Sequence, residues 1–382
     1  MSLRRLPLFF ILLALISATA TRLEAQSGRQ PVPQKSTGQR EDQERVKVFT
    51  EEVRLPVVAF DDYGHFDPTL EMKDVMVLED GVQQQIRSIR HTPSSVLIML
   101  DLDNQITLVK NTNTTRDLAM RVISNLHRGD EVALLQFASG VKVLQDWTSS
   151  TEGIPQILKT KLLAGKRGRL SEAMVAAAKM LADKPAGSRH VVIITDGIET
   201  PGGKVAYSEA VKQLIAAQAT VHIISYTALI REAIAGRYKK GPVSGGDGVQ
   251  RTSTVGASNP DPTMTSPEIN RSPSFRVITI DTDRQMRRWY KKYSQETEAN
   301  EQRLKSIAEE TGGQILVPSS SDDLLAQADL VAHDIGAQYV ITYRPTRPLA
   351  SAKAGEYRRI EIAPRRTGLT LRARRGYIAK TQ

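Results

Sequence analysis

Two aspartates one residue apart follow an apolar run, and their type and spacing could support chemistry. The run "VLIML", residues 96–100, ends at Asp101, and Asp103 and Gln105 follow at alternate positions. Carboxylate and amide oxygens are the ligands that hard cations such as Mg²⁺ and Ca²⁺ take. The stretch therefore raises the question whether the tip of a buried strand holds a metal ion.

Motifs of hydrolysis and phosphoryl transfer are missing from the sequence. It contains no G-x-S-x-G, no H-E-x-x-H and no glycine-rich phosphate loop. The histidines are scattered, at positions 65, 91, 127, 190, 222 and 333. Arg128-Gly129-Asp130 spells an adhesive tripeptide, but it lies between a predicted helix and a predicted strand, where glycine is expected to end the helix. We therefore predict that the protein is not an enzyme.

The elements around the aspartates alternate between strands and helices. Nearly continuous apolar runs, typical of strands covered on both faces, lie at 96–102, 131–138, 190–197 and 220–227. Helices are predicted between and after them, at 108–126, 153–164, 170–183, 207–219, 284–313 and 321–337, the last with Ser321 as N-cap. This order predicts an α/β fold with a doubly wound, mostly parallel sheet.

Segments with β-type alternation flank this region at both ends. Residues 46–92 contain Asp80-Gly81, which fits a tight hairpin turn. In residues 338–382, Arg359, Arg372 and Arg374 interleave with apolar residues, as in an edge strand with an outward cationic face. Our hypothesis is that the two segments pair into one small antiparallel β module, with residues 93–337 inserted in it.

The N terminus has the pattern of a secretory signal peptide. Two arginines precede an apolar run over residues 6–18, which is short for a membrane span of about 20 residues. Small residues follow, so cleavage is expected after Ala20 or Ala25. We therefore predict that residues 1–25 are removed and that no transmembrane span remains.

Composition bounds what the exported chain could bind. With no cysteine, it can form neither disulfides nor thiolate metal sites. The net charge of +10 fits a solvated basic surface or a polyanionic partner such as an acidic glycan or a membrane surface, and we expect no nucleic-acid partner. Residues 26–45 are polar and predict a flexible linker, and residues 237–274, rich in Gly, Ser and Pro, predict a disordered insertion.

Together, these stretches resemble the von Willebrand factor type A (VWA) domain, especially the exported VWA-related proteins typical of acidobacteria. The matching segments are "VMVLEDGVQQQI", "VLIMLDLDNQ", "LHRGDEVALLQF", "GRLSEAM", "HVVIITDGIET", "LKSIAEETGGQIL" and "QYVITYRP…GEYRRIEI…LRARRGY". The resemblance covers roughly residues 46–382 apart from the insertion. It implies a central sheet wrapped by helices, with ligands at the carboxyl ends of the strands.

The resemblance also implies a metal-ion-dependent adhesion site, made of Asp-x-Ser-x-Ser on one loop, Thr on a second and Asp on a third. Asp101 and Asp196 stand at the two aspartate positions. Asp103 and Gln105 stand where the family has serines, and Gly168 stands where it has threonine. Two of the five positions therefore match and three depart.

The departures leave two states of the site open. Three carboxylates without hydroxyls would suit one divalent cation, and Ca²⁺ tolerates such a set better than Mg²⁺. Alternatively, the site is metal-free, either empty or closed by the guanidinium of Arg167 or Arg169, which would bridge Asp101 and Asp196.

The resemblance favours a binding function. We expect an exported protein, in the periplasm, the cell envelope or outside the cell, that binds a protein or envelope surface through this degenerate site. The competing hypothesis is a structural or assembly scaffold of the cell envelope whose site is vestigial and metal-free. For the binding function, the resemblance implies that occupation of this face can be coupled to a shift of the last helix, here about 321–337. Because that helix runs directly into "QYVITY", we expect the shift to reach the C-terminal β segment.

Overall fold

A computed structural model describes residues 51–103, 112–232 and 282–379. The predictions for the signal peptide, the linker, the insertion at 237–274 and Gln105 lie outside the described residues. Among the described helices, none combines the length and the apolar character needed to cross a bilayer.

The described residues form strands and helices as follows. The strands are β1 (Val53–Phe60), β2 (Val75–Glu79), β3 (Val82–Arg90), β4 (Ser95–Asp101), β5 (Glu131–Phe137), β6 (Val141–Thr148), β7 (Arg189–Thr195), β8 (Thr220–Ser225), β9 (Ile315–Leu316), β10 (Tyr339–Arg344), β11 (Tyr357–Pro364), β12 (Thr370–Ala373) and β13 (Gly376–Ile378). The longer helices are α1 (Thr112–Ser124), α2 (Ile154–Thr160), α3 (Leu170–Met180), α4 (Tyr207–Ala216), α5 (Thr282–Thr311) and α6 (Ser321–Gly336).

A six-stranded sheet in the order β6-β5-β4-β7-β8-β9 forms the centre of the α/β region. All of its neighbouring strands run parallel except the β5–β6 pair. Every residue of β4 is buried. Val96 and Ile98 belong to a core shared with α1 and α6, whereas Leu97 and Met99 belong to a core shared with α3, α4 and α5. Because helices cover both faces, β4 has a continuous apolar sequence, and the predicted doubly wound α/β fold is confirmed.

A seven-stranded sheet in the order β12-β1-β10-β3-β2-β11-β13 is built from both ends of the described chain. β10 lies between β1 and β3, and β11 pairs with β2, all antiparallel. Asp80 and Gly81 both have positive φ, 49° and 81°, in the tight turn that joins β2 to β3. We call this sheet the β module.

The arginines of the last strands differ from the outward cationic face expected from sequence. Only Arg359 is well exposed, and it pairs with Glu361 at 3.2 Å. Arg374 is 4% exposed and donates to the carbonyl oxygen of Arg54 at 3.0 Å. Arg372 binds Asp334 at the end of α6. Two of these cations therefore join elements of the fold, because the α/β region covers the strand that would otherwise be an exposed edge.

Two sequence-based details of helix ends were also wrong. The N-cap of α6 is Ser320, not Ser321, and its hydroxyl accepts from the amide of Asp323 at 3.1 Å. Helix α1 ends at Ser124, well before Gly129, which lies with φ of 101° in the turn before β5. The Asp130 carboxylate in that turn accepts backbone amides, including that of Ser94 at 2.7 Å. The tripeptide therefore has a structural role.

Candidate functional site

Three buried carboxylates meet at the carboxyl ends of two neighbouring parallel strands. Asp101 ends β4, and Asp196 directly follows β7, which pairs with β4. Asp103 lies two residues beyond Asp101. One oxygen of each carboxylate lies within 4.8 Å of the others, and the residues are 0%, 3% and 1% exposed in chain order. The structure therefore brings together three of the residues singled out in the sequence.

Hydrogen bonds orient Asp101 within this cluster. The hydroxyl of Thr195 donates to Asp101 Oδ2 at 2.6 Å and accepts from the amide of Gly197 at 2.9 Å. The amide of Asp103 donates to Asp101 Oδ1 at 3.2 Å. Thr195 was not among the residues singled out from the sequence, although its place directly before Asp196 in "ITDG", at the end of a buried strand, was a usable signal.

The second loop, which carries Gly168, lies very close to the first loop, which carries Asp103, and to the third loop, which carries Asp196. No side chain therefore fits at position 168. A Cβ on Gly168 would lie 2.5 Å from the carbonyl oxygen of Ile198 and 2.8 Å from Asp103 Oδ2. The amide of Gly168 donates to the Thr200 hydroxyl at 2.9 Å, and the amide of Thr200 donates back to the Gly168 carbonyl at 3.1 Å. The backbone of the third loop thus occupies the space that a side chain at position 168 would need.

The two arginines expected to close the site lie elsewhere. The guanidinium of Arg169 is buried and donates to the carbonyl oxygen of Thr200 at 3.0 Å. Arg167 is exposed. Within the described residues, neither guanidinium forms an ion pair with Asp101, Asp103 or Asp196. The predicted arginine bridge is therefore wrong, because Arg169 holds the third loop instead.

The family comparison agrees with this geometry. Residues 96–240, which include both strands and the second and third loops, match the von Willebrand factor type A domain. This part of the chain is a VWA domain. No curated protein matches the sequence.

The solved structures that are similar to this chain are distant in sequence. The chain is 22% identical to the conserved hypothetical protein BatB from Bacteroides thetaiotaomicron, covering 35% of this chain and 66% of that one, with a TM-score of 0.31. It is 17% identical to an aerotolerance-related membrane protein from Bacteroides fragilis, covering 63% and 98%, with a TM-score of 0.38. It is 10% identical to a von Willebrand factor type A protein from Catenulispora acidiphila, covering 80% and 73%, with a TM-score of 0.42.

The carboxylates of this VWA domain fit a hard divalent cation by their donor type. Oxygen ligands suit Mg²⁺ and Ca²⁺, and Ca²⁺ accepts more ligands in a less regular geometry. Three buried carboxylates within 4.8 Å of one another concentrate negative charge that a divalent cation would balance. Because Gly168 offers no hydroxyl, the fit is better for Ca²⁺ than for the tight octahedron of Mg²⁺.

A cleft of about 660 Å³ lies beside the third loop of the VWA domain, between that loop and α5. Glu199 on its wall is held by the hydroxyl and amide of Ser171. The guanidinium of Arg303 lies 5.4 Å from the ring centre of Tyr207, and burial raises the pKa of that tyrosine. The cleft therefore offers polar and charged groups next to the carboxylates.

Proposed function

We propose that this chain is an exported, non-enzymatic binding protein whose VWA domain takes a protein or cell-surface partner at its carboxylate face. The observation that carries the proposal is the cluster of Asp101, Asp103 and Asp196, buried together at the carboxyl ends of β4 and β7. Ligands of parallel α/β sheets bind at such strand ends.

The role of each carboxylate follows from its contacts. The Thr195 hydroxyl and the Asp103 amide fix Asp101, and the amide of Ile198 donates to Asp196 Oδ1 at 3.1 Å. These bonds orient the oxygens before a ligand arrives. A divalent cation bound by the three carboxylates would supply an open coordination position for a carboxylate of the partner. The cleft beside the third loop would take the rest of the partner's contact segment.

Titration calorimetry of the purified protein with Ca²⁺, Mg²⁺ and Mn²⁺ tests the cation. We expect saturable heat, strongest with Ca²⁺, that is lost in Asp101→Asn. Asp117→Asn is the matched control, because Asp117 is an exposed carboxylate on α1. Absence of saturable heat with all three ions, or equal binding by Asp101→Asn, would contradict the proposed cation.

A second candidate function, an envelope scaffold with a vestigial site, is favoured by Gly168. Its lack of a side chain and its contact with Ile198 remove the threonine ligand of the family. Once a partner is isolated, alanine substitution of Asp101 and Asp196 separates the two functions. A protein that binds through the site loses the partner, whereas a scaffold with contacts elsewhere retains it.

A further inference from the structure

A second cleft, of about 900 Å³, lies between the β module and the loops at the amino ends of the parallel strands. Its floor is the face of the β module that points away from the module's core. Arg54 of β1, Thr342 of β10 and Ser88 of β3 are register partners there and lie side by side. Arg90 lies in the next row, opposite Val340. Loops near Pro93 and Pro185 form the walls.

An irregularity in β3 adds a third arginine to this floor. Thr342 pairs with Ser88, whereas the next residue, Tyr343, pairs with Ile86, so Arg87 is an extra residue in β3. Bulges of this kind redirect side chains. Arg87 and its neighbour Ser88 both line the cleft as a result.

Positive charge exceeds negative charge in the cleft. Arg54, Arg87 and Arg90 are exposed. Arg87 lies 3.7 Å from Glu52, whereas Arg54 and Arg90 form no ion pair with any described residue. Glu131 is the other acidic residue that lines the cleft. Its carboxylate is bound by the ammonium group of Lys184 at 2.6 Å, and not by any of the three arginines.

We propose that this cleft binds an acidic segment of a polypeptide. Two strand spacings and a two-residue offset place the Cα atoms of Arg54 and Arg90 about 12 Å apart. That spacing suits several carboxylates along an extended chain better than one compact anion. Each guanidinium can bind a carboxylate through two parallel hydrogen bonds.

The remaining lining groups fit a peptide better than a sugar. The hydroxyls of Ser88, Thr342 and Thr92 both donate and accept, as the alternating N–H and C=O groups of a peptide require. Pro93 and Pro185 give apolar walls for aliphatic side chains. None of the described residues lining the cleft is aromatic, so a sugar ring has no surface on which to stack.

This cleft is separate from the carboxylate face. Ser95 at the start of β4 lines it, whereas Asp101 at the other end of the same strand belongs to the carboxylate cluster. A strand of this length separates its ends by about 20 Å. Binding at this cleft therefore requires no cation at the carboxylates.

Fluorescence anisotropy with a fluorescein-labelled oligo-glutamate peptide tests the proposal at low salt. We expect saturable binding, no binding of the oligo-glutamine counterpart, and a loss of about tenfold or more in affinity for Arg54→Gln/Arg90→Gln, as for loss of charge-assisted hydrogen bonds. The matched control is Arg359→Gln/Arg365→Gln, which removes the same charge from exposed arginines of the same module. We expect the control to bind within about twofold of the parent protein.

Three results would overturn the proposal. The first is no saturable binding of the acidic peptide. The second is an equal loss in both double variants, which would mean attraction by net charge alone. The third is tighter binding of inorganic phosphate or a sulfated oligosaccharide than of the peptide at this cleft.

Because Arg54 and Arg90 are exposed, the variants should keep the parent melting temperature, which verifies folding.

Discussion

Replacing Gly168 by alanine tests the contact between the second and third loops. The added Cβ would lie 2.5 Å from a backbone carbonyl oxygen and 2.8 Å from a buried carboxylate oxygen. The backbone carbonyl group of Ile198 cannot rotate away unless the third loop moves. Overpacking of this kind costs about 1–3 kcal/mol, and we expect the free energy of unfolding of Gly168→Ala to fall by that amount.

The measurement is urea unfolding of the variant beside Gly140→Ala. A Cβ on Gly140 meets nothing within 4 Å, and its φ is outside the left-handed region. We therefore expect that control to be unchanged or more stable, by about 0.4–1 kcal/mol, since alanine restricts the unfolded chain.

Equal stability of the two variants would refute the reasoning, since it would mean that space exists at position 168. The Cβ of Gly168→Thr, which restores the family residue, would meet the same two atoms. Its larger side chain should destabilise further and should not strengthen Mg²⁺ binding in calorimetry. A gain in Mg²⁺ affinity would show that the third loop moves aside without difficulty.

Three further predictions concern the rest of the fold. Arg358→Ala should lower the free energy of unfolding by about 3–5 kcal/mol, because it leaves buried acceptors and a buried carboxylate without their cation. The control, Arg359→Ala, removes an exposed arginine and should lower the free energy of unfolding by less than about 1 kcal/mol. Similar values for the two variants in urea unfolding would contradict this. Burial lowers the pKa of His190 and of His222 to about 3 from the ordinary 6.5. Below pH 6.5 the unfolded chain therefore binds more protons than the folded protein, so the free energy of unfolding should fall as the pH is lowered from 6.5 toward 3. Each histidine contributes at most about 1.4 kcal/mol per pH unit to this fall. Asp334 makes an opposing contribution, because burial raises its pKa. His190→Gln should flatten that slope in urea titrations, and an unchanged slope would count against the assignment. Finally, amide exchange in α6 should change when the carboxylate face is occupied by Ca²⁺ or a partner, and identical exchange would refute coupling to that helix.

Much of the fold could be predicted because burial leaves a direct imprint on sequence. The run at 96–100 is apolar at every position because helices cover both faces of β4. The turn at Asp80-Gly81 was equally readable, since both residues adopt positive φ there. Such features depend on neighbours in the chain or on a single periodic pattern.

What the sequence did not reveal depends on contacts between distant segments. Arg169 looked available to neutralise Asp101, but its guanidinium binds the carbonyl of Thr200 on the third loop. Arg374 looked like an outward cation, yet it is buried against the backbone of β1. Nothing in the alternation of the last strands distinguishes Arg374 from the exposed Arg359, because the difference arises from which surface the α/β region covers.

The junction between the VWA domain and the β module gives α6 a position from which both could respond to one event. Asp334, near the end of α6, binds Arg372 of β12 and lies 3.2 Å from Nδ1 of His222 in β8. Gln338, which follows the helix, donates to the hydroxyl of Thr220 at 3.2 Å, and β10 begins at the next residue. A displacement of α6 would therefore strain contacts with the parallel sheet and with the module together. Strand β10 also forms part of the floor of the cleft lined by Arg54, Arg87 and Arg90. If binding at the carboxylate face moves α6, we therefore expect it to change the affinity of this cleft, at the opposite end of the sheet, for an acidic peptide.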